Sequence, residues 1–267
     1  MMLYDAHCHV DFATDPAALA EGLASAGVRV ASATVTPSGY RKALHVLGGF
    51  SNVRIGLGLH PWWVADGRLS SRDVQEFCSL ASAGQPLISE VGLDFSPRCL
   101  ERSISAGLAD FCEQAKELQL EAFRKAMLAC VGHGLFVSLH SVKAEECVLD
   151  VLEQTGVAST CSCVFHGFAG SQDQLFRALD MGCYVSVGPR MLSTKRGKAY
   201  AKIIPAERTL LETDAPSSQG IAMQACAMRD ALACCLDDLA DMRGLDAHAK
   251  EAFVRQMEET SRRLLGF

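Results

Sequence analysis

The fold is decided first by the run Leu3-Tyr4-Asp5-Ala6-His7-Cys8-His9, an apolar, strand-like stretch that ends in two histidines. Side chains alternate along a β-strand, so His7 and His9 point to one face and Cys8 to the other. The same pattern, in which an apolar run ends in a potential metal ligand, recurs at Glu90, His140, His166 and Asp214. A barrel with helical crossovers gathers the ends of its strands onto one face. The sequence therefore predicts a metal centre at the mouth of such a barrel.

Strand-like and helix-like runs alternate from end to end. The predicted strands span Leu3–His9, Val28–Thr36, Val53–Leu59, Leu87–Leu93, Leu135–His140, Cys161–His166, Cys183–Val187 and Thr209–Glu212. Amphipathic runs of crossover length lie between them, among them Asp15–Ala26, Ser71–Ala83, Ala144–Thr155, Ser171–Met181 and Lys195–Ile203. This alternation predicts an α/β fold, a (β/α)8 TIM barrel that forms a single domain over residues 1–267. An open doubly wound sheet is the alternative, but no Gly-x-Gly-x-x-Gly turn follows the first strand.

Two segments exceed the minimal barrel. The sequence predicts extra helices at 102–117 and 119–132, and a helical tail at 223–240 and 247–265. Ser71 and Ser171 are predicted as helix caps. Gly27, Gly156 and Gly182 are predicted to end helices in the left-handed conformation.

Composition excludes several classes of protein. The net charge of −6 argues against a protein that coats nucleic acid through general surface attraction. No signal-like or membrane-spanning run occurs, and the twelve cysteines include no Cys-x-x-Cys pair. We expect reduced thiols, a cytoplasmic location, no membrane association and no obligate protein partner.

The carboxylates among these strand-end residues need cations or donors. Glu90 ends a run that is otherwise apolar, and burying an unpaired carboxylate there is costly. A position bridging two metal ions would satisfy it. Asp214 precedes Ala215-Pro216, which ends the strand and leaves the carboxylate at the barrel mouth. Mixed imidazole and carboxylate ligands suit Zn²⁺ or Mn²⁺, with Mg²⁺ as a further choice.

The motifs occur in an order that resembles the TatD family of metal-dependent hydrolases. They are Asp5–His9, Gly58–Pro61, Glu90–Asp94, His140, Phe165–Ser171 and Leu211–Pro216. The resemblance implies an amidohydrolase-like TIM barrel that acts as a two-metal DNase or phosphodiesterase. It also implies a ligand set in which one ion is held by His7, His9, Glu90 and Asp214, and the second by Glu90, His140 and His166.

Catalytic roles follow from this ligand set. Asp214 is expected to orient or deprotonate the attacking water, and Glu90 to fix the spacing of the ions. The sequence departs from the family where Val142 replaces the usual arginine, and where Ser217–Gly220 replaces the usual segment after the last strand.

The substrate is expected to be a nucleic-acid end or a small phosphodiester. The candidate substrate-binding residues are His60, Arg190, Lys195 and Arg196. An alternative is an ester or amide hydrolase, such as a D-aminoacyl-tRNA deacylase or a lactonase-like enzyme, because the same metals serve carbonyl chemistry. A non-enzyme alternative is an inactive metal-binding barrel that acts as an interaction protein.

Overall fold

The computed structural model describes residues 2–85 and 87–267. Eight parallel strands form one sheet in the order of the sequence, which confirms the predicted (β/α)8 barrel. The strands are β1 Leu3–Cys8, β2 Val28–Ala33, β3 Val53–Leu59, β4 Leu87–Asp94, β5 Phe136–Val142, β6 Ser162–His166, β7 Tyr184–Val187 and β8 Thr209–Leu211.

Helices follow the strands and cover the outside of the barrel. They are α1 Pro16–Ser25, α2 Pro37–Leu47, α3 Pro61–Ala65, α4 Ser71–Ser82, α5 Pro97–Ser105, α6 Cys112–Cys130, α7 Glu145–Thr155, α8 Gln172–Asp180, α9 Pro189–Leu192, α10 Lys195–Ile203, α11 Ala225–Met242 and α12 Ala247–Leu265. Short 3-10 turns span Val10–Phe12, Val157–Ser159 and Ala206–Arg208.

The barrel closes beyond the end of β8. The Asp214 N–H donates to the carbonyl oxygen of His7 at 2.9 Å, and the His9 N–H donates to that of Ala215 at 2.8 Å. The Asp5 carboxylate also accepts from the Thr213 N–H at 3.1 Å. These contacts fix Asp214 beside the two histidines that follow β1.

Local sequence signals set most helix ends. Ser171 caps α8 with a capping box, as predicted, whereas the cap of α4 is Ser70 rather than Ser71. Gly27, Gly156 and Gly182 all have positive φ values where the preceding helices end, which confirms the predicted left-handed stops.

The predicted division of residues 102–132 into two helices is wrong. The break lies earlier, around Gly107, whose φ is +69°. One continuous helix, α6, then runs through Leu118, because Ala115, Gln119 and Phe123 are buried along one face on both sides of that residue.

Within the described residues, no helix is long and apolar enough to cross a membrane. All twelve cysteines are unpaired thiols.

Candidate metal centre

The barrel mouth brings the six predicted metal ligands together. His7 lies in β1 and His9 follows it, His140 lies in β5, and His166 is the last residue of β6. Asp214 follows β8. Glu90 lies in the middle of β4 rather than at its end, so the predicted strand-end position of this residue is wrong. The five strands and their extensions nonetheless direct these side chains toward one another.

Glu90 is the centre of a first ligand group, formed with His7, His9 and Asp214. Its Oε1 atom lies 2.7 Å from the Nε2 atom of His7 and 3.8 Å from that of His9. The Nε2 atom of His9 is also 3.4 Å from Oδ1 of Asp214. One potential ligand atom from each residue lies within 4.8 Å of the others, which is compact enough for a single ion.

The second oxygen of Glu90 faces a different pair of histidines. Oε2 lies 2.7 Å from Nε2 of His60 and 3.8 Å from Nδ1 of His140. His166 lies on the other side of the carboxylate, with its Nε2 atom 3.3 Å from Oε1 and its ring stacked on His7 at 4.0 Å between centroids. His60, predicted as a substrate-binding residue, is therefore buried within the ligand cluster, 8% exposed.

Two of these potential ligands have a strained backbone. Glu90 has a φ of +46° and Asp214 a φ of +53°, in the left-handed region that non-glycine residues rarely adopt. At Glu90 the cause is a bulge, because β4 holds an extra residue relative to both β3 and β5. Without this bulge the alternation of side chains along β4 would turn Glu90 toward the outside of the barrel, because Leu87 faces the inside. Such strain is typical of functional sites.

A second set of residues orients the histidines. The Nδ1 atom of His7 lies 2.7 Å from the Ser138 hydroxyl, and that of His9 lies 2.7 Å from the Ala33 carbonyl oxygen. The Nε2 atom of His140 lies 3.4 Å from Oδ2 of Asp94. Such outer contacts fix which nitrogen of a histidine is free to bind metal.

Sequence reasoning assigned no role to Ser138 or Asp94. Asp94 closes the motif Glu90–Asp94, so its position there was an available signal. The place of Ser138, two residues before His140 on the same face of β5, was another.

Electrostatics favour charged carboxylates at the mouth. Burial opposes ionisation of Glu90, but His60 and His7 outweigh this effect and hold its pKa well below the usual value. Burial likewise opposes ionisation of Asp214, but the hydrogen bond with His9 and the nearby histidine charges hold its pKa below the usual range. Both carboxylates are therefore ionised at neutral pH, the form that binds cations.

Two of these histidines have pKa values shifted in opposite directions. Burial lowers the pKa of His166 well below its usual value, and the charge of His7 lowers it further. Burial also lowers the pKa of His9, but Asp214 and Glu90 outweigh it and raise this pKa to about 9. His166 therefore has a lone pair ready for an ion, whereas an ion bound at His9 must displace a proton.

Two buried atoms show that the donor set fits divalent cations. Nδ1 of His140 and Nε2 of His166 have no hydrogen-bond partner within residues 2–85 and 87–267. Leaving buried polar atoms unpaired costs free energy, and coordination to a cation would recover it. Imidazole and carboxylate together suit Zn²⁺ and Mn²⁺.

A cavity of about 710 Å³ opens beside the cluster, with His140, His166 and Asp214 in its wall. The cations that line it are Lys143, Arg190 and Arg196. Arg190 reaches Asp214 with an Nη1–Oδ2 distance of 3.9 Å. Lys195 is exposed and is not part of this wall. Sequence reasoning missed Lys143, although its place directly after β5 was a signal.

Comparisons with known proteins agree with this arrangement. A sequence model of the family described as TatD related DNase matches residues 4–266. The uncharacterized metal-dependent hydrolase YabD of Bacillus subtilis is 24% identical over 222 residues, which cover 80% of this chain and 80% of YabD. The 3'-5' ssDNA/RNA exonuclease TatD of Pantoea ananatis is 33% identical over 166 residues, which cover 60% of this chain and 56% of that protein.

A solved structure shows the same fold. The crystal structure of YJJV, a TatD homolog from Escherichia coli, has a TM-score of 0.79 at 21% identity and covers 99% of this chain and 98% of its own. The family match extends across all the strands that supply the ligand cluster. The chain belongs to the TatD family of metal-dependent hydrolases.

Proposed function

We propose that the protein is a TatD-like deoxyribonuclease or phosphodiesterase that uses two divalent ions to hydrolyse the end of a single-stranded nucleic acid. The observation that carries this proposal is the convergence of five potential ligands on Glu90, with two buried ring nitrogens left unpaired. The adjoining cavity, with three cationic side chains in its wall, supports an anionic substrate.

Glu90 would belong to the ligand sets of both ions. Its Oε1 atom faces His7 and its Oε2 atom faces His140, so the two oxygens address different sides of the cluster. The first ion is assigned to His7, His9, Glu90 and Asp214.

The second ion is assigned to Glu90, His140 and His166. Both histidines have a buried ring nitrogen without a partner among the described residues, whereas Nε2 of His60 already contacts Glu90 at 2.7 Å. His60→Asn is therefore expected to retain two ions per chain by metal analysis, and His166→Asn to retain one. The opposite result would make His60 the ligand.

The chain's own residues divide the remaining work. When bound, two divalent ions supply Lewis-acid polarisation of the phosphoryl oxygen and lower the pKa of a coordinated water to about 7. Asp214, held ionised by His9, accepts the proton of the attacking water. Arg190, within 3.9 Å of Asp214, lies where it can contact an anionic oxygen of the substrate.

The proposal is tested with a panel of substrates and added Mn²⁺. We expect cleavage of a labelled single-stranded oligonucleotide and of a small phosphodiester. His140→Ala should abolish this activity, whereas His45→Ala, which changes an exposed histidine of α2, should leave it intact. Hydrolysis of carboxyl esters or amides without any phosphodiester cleavage would favour the carbonyl-directed enzyme. Binding of metal without turnover of any substrate would favour the interaction protein.

A further inference from the structure

We propose that Trp62 is a positioning residue for the second ion, which acts through Asp94 to hold His140 in the orientation that binds metal. This inference rests on the two-ion centre proposed above. Trp62 does not line the substrate cavity and is not one of the residues assigned to the second ion. It donates a hydrogen bond to Asp94, which in turn contacts His140.

Trp62 lies in the short helix that follows β3. Its backbone N–H donates to Nδ1 of His60 at 3.0 Å, which fixes the start of α3 against the ligand cluster. Its indole Nε1 atom donates to Oδ2 of Asp94 at 2.6 Å. A neutral donor on a buried carboxylate makes a strong, charge-assisted hydrogen bond.

Asp94 is held so that its carboxylate cannot turn. Its side chain is buried, and Oδ1 accepts from the Ser96 N–H at 2.8 Å. Gln119 holds the backbone from both sides, accepting from the Asp94 N–H at 2.8 Å and donating to its carbonyl oxygen at 3.0 Å. Oδ2 is the remaining oxygen, and Trp62 shares it with His140.

The contact with Asp94 decides which nitrogen His140 offers to metal. Nε2 of His140 lies 3.4 Å from Oδ2 of Asp94, so this nitrogen carries the proton. Nδ1 is then the nitrogen left for metal, and it faces Oε2 of Glu90 at 3.8 Å. Loss of the indole donor would leave Oδ2 of Asp94 held by His140 alone, so that this oxygen could shift and His140 could change tautomer.

Two arginines hold the indole ring in place. The guanidinium of Arg102 lies 4.6 Å from the ring centroid of Trp62, and that of Arg98 lies 5.1 Å away. Arg102 in turn bonds to Asp66 at 2.6 Å. Trp62→Phe would keep an aromatic ring beside these arginines, and it would lose the N–H donor together with part of the ring.

The adjacent Trp63 provides a matched control. Its ring also lies near His60, at 5.1 Å between centroids, and stacks under Arg68 at 4.7 Å. Across residues 2–85 and 87–267, however, its indole nitrogen makes no hydrogen bond to protein. Trp63→Phe therefore repeats the change in size without removing a hydrogen bond to a described residue.

The experiment is calorimetric titration of the metal-free protein with Mn²⁺. Wild type should show two binding events, and His140→Ala identifies the second by weakening it. Trp62→Phe is expected to weaken only that event by about 10- to 100-fold, the usual effect of losing an outer partner of a metal-binding histidine. Asp94→Asn should weaken it at least as much, and Trp63→Phe should change neither event. Nitrogen NMR of the His140 ring in metal-free protein should show a changed tautomer in Trp62→Phe and in Asp94→Asn but not in Trp63→Phe.

The outcomes separate this inference from the proposed function. Equal Mn²⁺ affinities in Trp62→Phe and Trp63→Phe would overturn the role of Trp62 and leave the two-ion centre intact. Equal weakening of both events in Trp62→Phe would also overturn it, because that result indicates a general structural defect. A single ion in wild type would overturn the two-ion centre itself.

Discussion

The two ends of the barrel interior are built from the same strands but differ in chemistry. At the N-terminal end the strands contribute a buried apolar cluster, and Leu265 of α12 closes it. The strand residues of this cluster are Tyr4, Ala6, Ala31, Leu87, Phe136, Val164, Tyr184 and Leu210. At the mouth the same strands present histidines and carboxylates. Along β5 the change takes four residues, from buried Phe136 through Ser138 to His140.

The difference separates stability from function. Apolar burial at the closed end stabilises the fold and depends little on direction. The mouth instead holds unpaired polar atoms and two left-handed carboxylate residues, which cost free energy. We infer that the closed end stabilises the barrel, while the mouth is arranged for ion binding. Substitutions at the two ends should then change different measured quantities.

The largest expected effect is that of removing the ions. Chelation with EDTA should reduce hydrolysis to background, because in the proposed mechanism the ions both polarise the phosphoryl oxygen and activate the water. Circular dichroism should show that the barrel persists, since the apolar end is untouched. Added Mn²⁺ should restore activity. Full turnover by protein shown to be metal-free would remove the metal centre from the mechanism.

Asp214→Asn is the next test of the mouth. The amide can still bind an ion but cannot accept a proton, so turnover should fall by about 10²- to 10⁴-fold. The free energy of unfolding should change little. Asp180→Asn, at an exposed position ending α8, is the matched control and should keep full activity. Wild-type kinetics in Asp214→Asn would exclude this residue as the base.

Phe136→Ala tests the closed end. This buried ring is removed from the apolar cluster, so the free energy of unfolding should fall by about 3–5 kcal/mol in urea denaturation. Metal content and kcat of the folded protein should be unchanged. Phe111→Ala, at a residue 59% exposed, should have a small effect on stability. If the folded fraction of Phe136→Ala bound fewer ions per chain than wild type, the two ends of the barrel would be coupled.

The smallest expected effect distinguishes two neighbours at the start of α10. Arg196 lines the cavity and Lys195 does not. Arg196→Ala should raise KM for an oligonucleotide by about fivefold, since an exposed ionic contact is worth about 1 kcal/mol. It should also reduce the slope of log KM against log salt concentration by about 1, the change expected when one phosphate contact is lost. Lys195→Ala should resemble wild type, and the double variant should resemble Arg196→Ala. Unchanged KM and unchanged salt dependence in Arg196→Ala, Lys195→Ala and the double variant would show that this basic run is solvated surface.

Much of the fold and the grouping of potential ligands at the barrel mouth could be predicted because each depends on local pattern. The alternation of strands and helices follows from periodicity, and His7 with His9 follows from the two-residue repeat of a strand. The helix break near Gly107 was missed because one glycine's conformation competed with a continuous amphipathic pattern. The bulge at Glu90 was missed because it depends on pairing with β3 and β5.

The sequence by itself determined the barrel and the types of side chain at its mouth, because hydrophobic periodicity and residue chemistry are properties of short stretches of the chain. Only the tertiary structure decided which of those side chains share an oxygen of Glu90. It brought His60 to Oε2, joined Trp62 to Asp94, and placed Arg196 but not Lys195 in the cavity wall. These relations depend on barrel closure and on distances of a few ångströms between residues far apart in the chain, which no local pattern encodes.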